Sequence, residues 1–471
     1  MAEYGNITAE ICREFKSILK DRLLTGEKIS QSYALDETPF MKESIPEAVA
    51  LPETSEEVSR LMKICNRNHI PVTARGGGTG LTGAAVAVTG GLLISMEKMN
   101  HILEIDGENM LVRLESGVQL GQLQSACEER GLFYPPDPAE KLATLGGNVS
   151  TNAGGMRAVR YGTTRDYVLG AAVVLPDGDI LSLGAETIKN NSSNHLLPLF
   201  LGSEGIFGII TELILRVRPL PKENMSVLGA FSSPEQALKA VPGLRRLFSP
   251  RSLEYMEADL VLEAQKLNGQ HIFPEEAEGT PVRAFLLVTF DGNSPEELLA
   301  VLEEAGEQLL ENGALDVLVG DNQNAVKNIF SVRDSLLDVV KKLHLFVEEA
   351  DVALPVTEMS GYLDEVTECC AGFGLRLRTF GHAGDGNLHL YFCGDSCSRE
   401  EFEIRAEQLL DEIYAKAAAR RGVLSGEHGT GFVKRKYMKL FSDPKELQIL
   451  NNIKKTLDPN LILNPQKMLW T

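Results

Sequence analysis

The sequence predicts an α+β fold of more than one domain, and three observations support it. The chain has 471 residues, which is more than one hydrophobic core usually supports. Residues 45–220 are rich in glycine and hold short runs of β-forming residues, whereas the segments after residue 225 are longer and include helical patterns. Between them lies Pro219-Leu220-Pro221-Lys222, where prolines at alternate positions interrupt helices and sheet ladders. We therefore expect the main domain boundary near residue 222.

The glycine-rich region alternates short strands with helices. Strands are expected in four apolar runs, at residues 70–74, 92–96, 110–114 and 171–175. Thr54 and Glu57 form a capping box ahead of apolar residues at helical spacing, which predicts a helix that reaches Cys65. The same spacing over 120–127, followed by Gly131, predicts a second helix.

The second region is expected to contain longer elements. They are a strand at 284–290 and helices at 294–312, 324–343 and 400–421. The chain thus divides into four segments: an N-terminal helical arm at 1–44, a glycine-rich domain at 45–222, a second domain at 223–445, and a tail at 446–471 that returns to the first domain.

Composition and charge exclude several classes of protein. The formal net charge of −20 has the wrong sign for binding nucleic acid or anionic lipid. The seven cysteines are scattered and form no CxxC pair, which argues against a disulfide framework or an iron–sulfur site. The N-terminus lacks the order of a secretory signal, and no run approaches the ~20 apolar residues that span a bilayer. We expect a cytoplasmic protein with no transmembrane segment and no nucleic-acid partner.

The first chemical feature is the run from Arg75 to Gly83, which contains the dinucleotide pattern GxGxxG. A Rossmann loop must open a helix, but only residues 84–89 precede another glycine pair and a strand, so that helix has no room. What remains is a glycine run whose backbone N–H groups can approach a phosphate, with Arg75 and Thr79 able to help. A flexible surface loop would have the same composition.

Two further glycine-rich segments favour a binding role. Residues 144–155 are rich in Gly, Asn and Thr, too polar for a core strand and too long for a simple turn. Residues 202–211 contain three more glycines. Three such segments in one domain are typical of loops that meet a large polar ligand along its length.

On these motifs the sequence resembles the FAD-binding domain of the vanillyl-alcohol oxidase and p-cresol methylhydroxylase superfamily, in the branch of D-lactate, glycolate and D-2-hydroxyglutarate dehydrogenases. The resemblance covers residues 45–470. It implies a two-lobed FAD-binding domain of the vanillyl-alcohol oxidase type, a ferredoxin-like α+β cap domain that binds substrate, and a C-terminal helical tail. No His or Cys is clearly placed for covalent attachment, so we expect noncovalent FAD.

The resemblance also implies which residues hold FAD. The loop matching Arg75 to Thr82 holds the pyrophosphate, and the other segments enclose the rest of the cofactor. The implied cofactor-binding residues are Arg75, Gly76, Gly77, Gly78, Thr79, Gly80, Leu81, Thr82, Pro136, Asp137, Thr144, Gly147, Asn148, Ser150, Asn152, Gly154, Gly155, Glu204, Gly205, Ile210 and Asn464.

The second domain carries the most specific motif, a histidine- and glycine-rich run over 380–389, followed by a second such run over 426–431. His382 and His389 flank a glycine turn, so two strand ends can bring both imidazoles to one ion, with Glu427 as a third ligand that leaves a position open. Hydrogen-bonded core histidines are the alternative. The glycines beside each candidate ligand favour the metal, and in the resembled family the matching residues hold a divalent cation, here expected to be Zn, Fe or Mn.

Two residues are expected to act on the substrate. In the resembled enzymes, the histidine that matches His428 is the proposed base. Arg333 aligns with an arginine that binds the substrate carboxylate in relatives. A surface arginine paired with Asp334 or Asp338 is the alternative for Arg333.

Three functions follow. The leading one is FAD- and metal-dependent oxidation of a small D-2-hydroxy acid, such as lactate, glycolate or 2-hydroxyglutarate, to the 2-oxo acid. A second is a flavoprotein subunit of a lactate dehydrogenase complex that works with an electron-transferring flavoprotein or another acceptor subunit, including a bifurcating complex. The third is a metal-dependent hydrolase built on His382, His389 and Glu427.

Overall fold

A computed structural model of the chain describes residues 3–192 and 195–469. Its strands, in chain order, are β1 (Leu23–Thr25), β2 (Ala48–Ala50), β3 (Val72–Arg75), β4 (Leu92–Ser95), β5 (Ile102–Asp106), β6 (Leu111–Glu115), β7 (Leu132–Phe133), β8 (Val168–Val174), β9 (Ile180–Gly184), β10 (Ile209–Arg216), β11 (Arg218–Pro219), β12 (Glu223–Phe231), β13 (Ser252–Glu257), β14 (Glu276–Ala277), β15 (Thr280–Pro281), β16 (Ala284–Gly292), β17 (Asp316–Gly320), β18 (Phe346–Ala353), β19 (Arg376–Gly381) and β20 (Asn387–Gly394).

The α-helices are α1 (Ala9–Leu19), α2 (Ser55–Arg67), α3 (Leu120–Glu128), α4 (Leu145–Thr151), α5 (Ala158–Tyr161), α6 (Pro234–Leu247), α7 (Ala258–Leu267), α8 (Pro295–Glu311), α9 (Gln323–Asp334), α10 (Leu336–Leu343), α11 (Met359–Gly372), α12 (Arg399–Ala419), α13 (Met438–Phe441) and α14 (Pro444–Leu457). The prediction of an α+β protein is confirmed. Among the helices of the described residues, none combines the length and the apolar character needed to span a bilayer.

The chain forms two compact units. Unit 1 comprises residues 1–154, 163–220 and 427–471, and unit 2 comprises 155–162 and 221–426. Two of the divisions between the units fall after residues 220 and 426. The sequence predicts the corresponding domain boundaries after residues 222 and 445. The short segment 155–162 belongs to unit 2 because Arg160 and Tyr161 bond the buried carboxylate of Asp291, at 2.6 and 2.8 Å.

Unit 1 holds two main sheets. The first has the order β1-β2-β4-β3, in which β2, β4 and β3 run parallel. The second is antiparallel, with the order β5-β6-β10-β8-β9. The parallel strands are short and almost wholly buried, as expected of strands covered on both faces.

Helix α2 begins after Thr54 as its sequence predicts, but only half of the capping box forms, because the Glu57 carboxylate accepts from the N–H of Glu53 and from Arg22. The hydroxyl of Thr54 accepts a hydrogen bond from the N–H of Glu57, which caps the helix. The residues at helical spacing between Val58 and Cys65 are buried in the core that covers the first sheet. The end of the chain enters the same core: the N–H of Val72 donates to the carbonyl of Ile462 at 2.7 Å.

Unit 2 is an antiparallel sheet covered by helices. Its seven strands have the order β17-β12-β16-β13-β19-β20-β18. Side chains alternate along β12: Leu228 packs with α7, α9 and α10, whereas a side chain at Gly229 would meet Leu309 of α8 at 3.0 Å. Helices therefore lie on both faces of the sheet.

The helices of unit 2 follow the prediction, with one exception. Helices α8 and α12 match the predicted spans at 294–312 and 400–421. The single helix expected at 324–343 is wrong, because the structure has α9 and α10 with a break at Ser335. The Ser335 hydroxyl donates to the carbonyl of Val332 at 2.9 Å, and such local bonds compete with helix continuation.

Candidate active site

The glycine loop follows β3 at its carboxyl end and has little room for side chains. A Cβ at Gly76 would lie 2.2 Å from the hydroxyl of Thr144, and one at Gly78 would lie 2.0 Å from the guanidinium of Arg75. Gly78 also has φ +73°, a conformation that L-residues rarely adopt. The loop is therefore folded closely onto its own arginine and onto the start of α4.

Arg75 links this loop to the N-terminal segment. Its guanidinium is buried and donates to the carbonyls of Leu35 and Ser32, each at 2.8 Å. Burial lowers the pKa of Arg75, because nearby carbonyls replace only part of the lost hydration. Any contact of Arg75 with a cofactor would come from the donors that these two bonds leave over.

The backbone of the loop has the character of an anion site. Among the residues that the structure describes, no acceptor is found for the N–H groups of residues 77–82. Successive N–H groups in a glycine-rich turn form a concave donor surface that suits a phosphate. This part of unit 1 therefore fits the pyrophosphate expected from the sequence.

The segment around α4 lines the same part of unit 1. Thr144 caps α4 by accepting from the N–H of Gly147. Gly146 packs so closely on Ser116 that a Cβ there would lie 2.6 Å from the Ser116 Cβ. The Asn148 amide nitrogen and the Ser116 hydroxyl are both buried without a partner among the described residues. Buried polar atoms are nearly always bonded, so this pair points to a polar ligand.

Glu204 and Asn464 complete the arrangement. The amide side chain of Asn464 accepts from the N–H of Ala74 at 3.0 Å and donates to the carbonyl of Glu204 at 2.8 Å. The Glu204 carboxylate accepts from the N–H groups of Thr430 and Gly431, both at 2.6 Å. Burial raises the pKa of Glu204, although these two bonds act in the opposite direction.

The remaining predicted cofactor residues are held by the protein itself. Gln124 of α3 donates to the carbonyl of Pro136 and to the carboxylate of Asp137. Ser150 donates to a carbonyl of its own helix, and Asn152 accepts from the hydroxyl of Thr163. Ile210 is buried in β10.

Glu427 and His428 lie in unit 1 beside that loop. The hydroxyl of Thr82 is 3.4 Å from the carbonyl of His428. Gly154 faces Glu427, where a Cβ would come within 3.2 Å of the glutamate Cβ. The structure therefore places the predicted base next to the last residue of the predicted pyrophosphate loop.

In unit 2, the two predicted imidazole ligands lie side by side. His382 follows β19 and His389 lies in β20, and their ring centroids are 5.3 Å apart. The turn between the strands contains Gly386 at φ +88°, where a Cβ would lie 2.0 Å from the carbonyl oxygen of Leu354. The hairpin thus brings both rings together, as the sequence predicts.

A buried carboxylate that the sequence analysis missed stands behind His382. Glu254 of β13 has no solvent exposure, and its oxygens lie 2.9 and 3.0 Å from His382 Nδ1. Arg333 donates to the same carboxylate from Nε at 3.0 Å and from Nη2 at 2.6 Å. Burial raises the pKa of Glu254, but its interactions with His382 and Arg333 outweigh this effect and lower the pKa to about 2.

The partner of Arg333 differs from the surface alternative. That alternative pairs Arg333 with Asp334 or Asp338 at the surface, whereas the structure buries Arg333 against Glu254. The guanidinium also lies 5.6 Å from the centre of the Phe380 ring. Arg333 and His382 are therefore joined through one carboxylate.

Two more acids lie behind His389. Its Nδ1 is 3.7 Å from Glu349 and 3.9 Å from Asp351, both on the neighbouring strand β18. Residues two apart on a strand share a face, so acids at the spacing of Glu349 and Asp351 in β18 are a sequence signal for such a cluster. For Glu254, the signal is a single acid within the buried run of β13.

The last residues of unit 2 lie close to the same cluster. Asp351 accepts from Asn387 Nδ2 at 2.6 Å and from the Ser425 hydroxyl at 2.7 Å. A Cβ at Gly426 would lie 2.3 Å from that same Asn387 nitrogen. Glu427 is the next residue along the chain, and Asn387 lies two residues from His389.

Comparisons with known proteins agree with this fold. Residues 46–184 match the family model described as FAD binding domain, and residues 220–468 match the one described as FAD linked oxidases, C-terminal domain. The chain therefore belongs to the FAD-linked oxidase family.

The relatives define the branch within that family. The chain is 43% identical over 469 residues to a D-lactate dehydrogenase of Anaerostipes hadrus, which covers 99% of each chain. It is 34% identical to glycolate oxidase subunit GlcD of Bacillus subtilis (strain 168), over 93% of this chain and 91% of that one. The chain thus falls in the branch that holds D-lactate dehydrogenases and glycolate oxidase subunits.

A solved structure shows the fold. The model resembles p-cresol methylhydroxylase with substrate bound, with a TM-score of 0.79 and 18% identity over 97% of this chain and 95% of that one. The predicted FAD-binding fold is confirmed.

Proposed function

We propose that the protein oxidises a D-2-hydroxy acid of the lactate, glycolate or 2-hydroxyglutarate type to the 2-oxo acid, using noncovalent FAD and a divalent metal. The observation that carries this proposal is the side-by-side pair His382 and His389, backed by buried carboxylates, in a member of the FAD-linked oxidases. The names of the relatives supply the substrate class: one is a D-lactate dehydrogenase and one a glycolate oxidase subunit.

Unit 1 supplies the proposed FAD site. The N–H groups of residues 77–82, for which the described residues offer no acceptor, suit the pyrophosphate. The Asn148 amide and the Ser116 hydroxyl, which have no partner among the same residues, suit polar edges of the cofactor. FAD, when bound, would accept the electron pair and the hydrogen from the substrate Cα.

The proposed metal site uses His382, His389 and Glu427. His382 directs Nδ1 to Glu254, which leaves Nε2 as its ligand atom. Glu427 follows Gly426, where a Cβ would lie 2.3 Å from Asn387 Nδ2, so chain connectivity supports a place for the Glu427 carboxylate near the two imidazoles. Two imidazoles and one carboxylate are a donor set for Zn, Fe or Mn that leaves positions open. A divalent cation there would act as a Lewis acid on the substrate hydroxyl.

The residues of the chain would carry out the other parts of the reaction. Arg333 binds the substrate carboxylate, because a guanidinium offers a planar pair of donors to it. His428 accepts the hydroxyl proton at a ring nitrogen, since an imidazole exchanges protons near neutral pH. Glu204 keeps His428 in place by holding the following residues, Thr430 and Gly431.

Of the two other functions, the hydrolase has less support, and the one with an acceptor subunit concerns the reoxidation of FAD. A metal-dependent hydrolase without flavin does not account for the match to two FAD-family models. The electron acceptor that reoxidises FAD is proposed to be an electron-transferring flavoprotein or another acceptor subunit. The seven cysteines are free thiols, which suits the reducing cytoplasm proposed as the location.

Anaerobic mixing with hydroxy acids tests the proposal. We expect D-lactate, glycolate or D-2-hydroxyglutarate to bleach the visible band of the bound flavin, and L-lactate to leave it unchanged. Treatment with a chelator should abolish the bleaching, and adding back Zn²⁺, Mn²⁺ or Fe²⁺ should restore it. Flavin that stays oxidised with every acid in the presence of metal would refute the proposal.

Variants separate the two roles in the Glu427–His428 pair. His428→Asn should retain FAD and metal but bleach about 10²–10⁴-fold more slowly, the usual contribution of a positioned base. Glu427→Gln should retain FAD and lose metal. A fully active His428→Asn would remove this residue from the mechanism. Metal content by atomic emission distinguishes the two variants.

A further inference from the structure

We propose that Glu254 is a positioning residue that orients both His382 and Arg333 for the reaction. The inference rests on the proposed function and adds a role that the sequence analysis did not include. It stands on one buried carboxylate that bonds two groups, which lie 128 and 79 residues away in the chain.

The buried carboxylate of Glu254 requires charged or hydrogen-bonding partners. It lies in β13, in the interior of the seven-stranded sheet, between Leu253 and Tyr255, which are also buried. A buried carboxylate is strongly disfavoured unless charged or hydrogen-bonding groups meet it. His382 and Arg333 fill that role, and the Glu254–Arg333 ion pair has almost no solvent exposure on either side chain.

The contact with His382 fixes which ring nitrogen is available. His382 donates from Nδ1 to the carboxylate, so the proton stays on Nδ1 and the lone pair of Nε2 points away from Glu254. A carboxylate behind a ligand histidine holds the ring orientation and increases the basicity of the ligand nitrogen. Glu254 thereby prepares His382 to bind a divalent cation.

The contact with Arg333 fixes which guanidinium edge is available. Nε and Nη2 both donate to one oxygen of Glu254, which uses one edge of the planar group. The guanidinium also lies over the ring of Phe380, 5.6 Å from its centre, within the range of a cation–π contact. The edge formed by Nη1 and Nη2 is left to donate two hydrogen bonds to a carboxylate. Glu254 therefore sets the direction from which Arg333 meets the substrate anion.

A purely structural ion pair would not need both contacts. Glu257 lies on the same strand as Glu254 and pairs with Arg378 of β19, which helps to join β13 to β19. Among the described residues, Glu257 bonds no predicted metal ligand. Glu254 differs because each of its partners belongs to the proposed metal or substrate site. The expected consequence is that loss of its charge weakens metal binding and substrate binding together.

The test is Glu254→Gln, measured on FAD-loaded protein stripped of metal with a chelator. We expect the affinity for Zn²⁺, from isothermal titration calorimetry, to fall about 10–100-fold, the range typical of such outer contacts. With saturating Zn²⁺, the KM for D-lactate should rise, because the guanidinium is no longer held in one direction. The ratio of flavin to protein should not change, because the proposed FAD residues named in unit 1 are untouched.

The matched control is Asp395→Asn. Asp395 contacts Nδ1 of His344 at 2.8 Å, so this variant removes a carboxylate from a histidine of the same unit that is not a proposed ligand. It should bind Zn²⁺ and D-lactate as the wild type does. Because Glu254→Gln leaves the buried Arg333 without a counter-ion, the double variant Glu254→Met/Arg333→Met provides a second test: it removes both charges and should show the same loss of Zn²⁺ affinity.

The outcomes separate this inference from the proposed function. Wild-type protein that binds Zn²⁺ and reacts with D-lactate, together with Glu254 variants of unchanged Zn²⁺ affinity, would overturn the role of Glu254 alone. Wild-type protein that binds none of Zn²⁺, Mn²⁺ and Fe²⁺ would overturn both. Reduced Zn²⁺ affinity in both Glu254 variants, with normal affinity in Asp395→Asn, would establish the positioning role.

Discussion

Single residues in the glycine loop determine whether its backbone is open to a ligand. Gly78 combines a positive φ with contact to the guanidinium of Arg75, which is itself fixed by carbonyls of the N-terminal segment. A side chain at this position would displace Arg75 and close part of the backbone donor surface. The loop therefore depends on glycine for steric as well as conformational reasons.

Replacement of Gly78 should weaken FAD binding. Gly78→Ala adds a methyl group where Arg75 now lies and costs about 1–2 kcal/mol for the left-handed conformation alone. We expect a lower ratio of flavin to protein after purification and a weaker affinity when FAD is added back to apoprotein. Gly131→Ala is the control, because Gly131 has φ +69° but no atom within 4 Å of the position of its Cβ. Equal flavin content in the two variants would contradict the steric argument.

At the scale of elements, a turn without regular structure carries the predicted base. Residues 427–431 lie in unit 1 and are tied to two other segments of that unit. The carbonyl of Thr82 accepts from the N–H of Phe432 at 2.8 Å, and the Glu204 carboxylate accepts from Thr430 and Gly431. The carboxylate of Glu204 is therefore used to hold the turn. Any contact between Glu204 and FAD would involve the Glu204 backbone.

Neutralising Glu204 should loosen this turn. In Glu204→Gln the amide NH₂ would face a backbone N–H, so one of the two donors loses its acceptor, at a cost of about 1–3 kcal/mol. We expect a lower melting temperature and slower flavin reduction by D-lactate. Glu212→Gln, at an exposed position in β10, should change neither property. Unchanged flavin reduction in Glu204→Gln would show that the turn does not depend on this carboxylate.

At the scale of the whole molecule, the chain returns to its first unit at the end. Asp458 accepts from the N–H groups of Ile462 and Leu463, and Asn464 bonds both Ala74 and Glu204. Lys467 is buried and donates to the carbonyls of Ala84 and Val86, just beyond the glycine loop. Burial lowers the pKa of Lys467 to about 7, against the opposite effect of Asp36 and Glu204.

This buried lysine should make stability depend on pH. The unfolded chain keeps the Lys467 proton up to about pH 10.5, whereas the folded protein releases it near pH 7. Between these values the unfolded state binds more protons, so this group increases stability as the pH rises from about 7 towards 10.5. Because a protein of two units need not unfold in one step, the melting temperature by calorimetry is the suitable measure.

The variant Lys467→Met removes the titrating group. The melting temperature of the wild type should rise relative to that of the variant across this alkaline range. Lys455→Met, which replaces an exposed lysine of α14, should keep the wild-type dependence. Parallel profiles for the wild type and Lys467→Met would show that Lys467 does not titrate in this range.

The sequence by itself determined the elements and the types of residue at the site. The period of apolar residues identified α2 because it reflects which side of a helix is buried. The glycine runs identified the loops that are proposed to bind FAD, because few other residues fit them. The motif around His382 and His389 predicted a hairpin that joins two imidazoles. Each of these signals consists of residues close together in the sequence, so it can be recognised from the sequence alone.

Only the tertiary structure decided the partners. Glu254 lies 128 residues from His382, and Glu204 lies 226 residues from Thr430, so no local pattern connects them. The break between α9 and α10 falls at Ser335, whose hydroxyl bonds the carbonyl of Val332. Pairing between distant residues is set by sheet order and by the need to neutralise buried charge, which are properties of the folded chain as a whole.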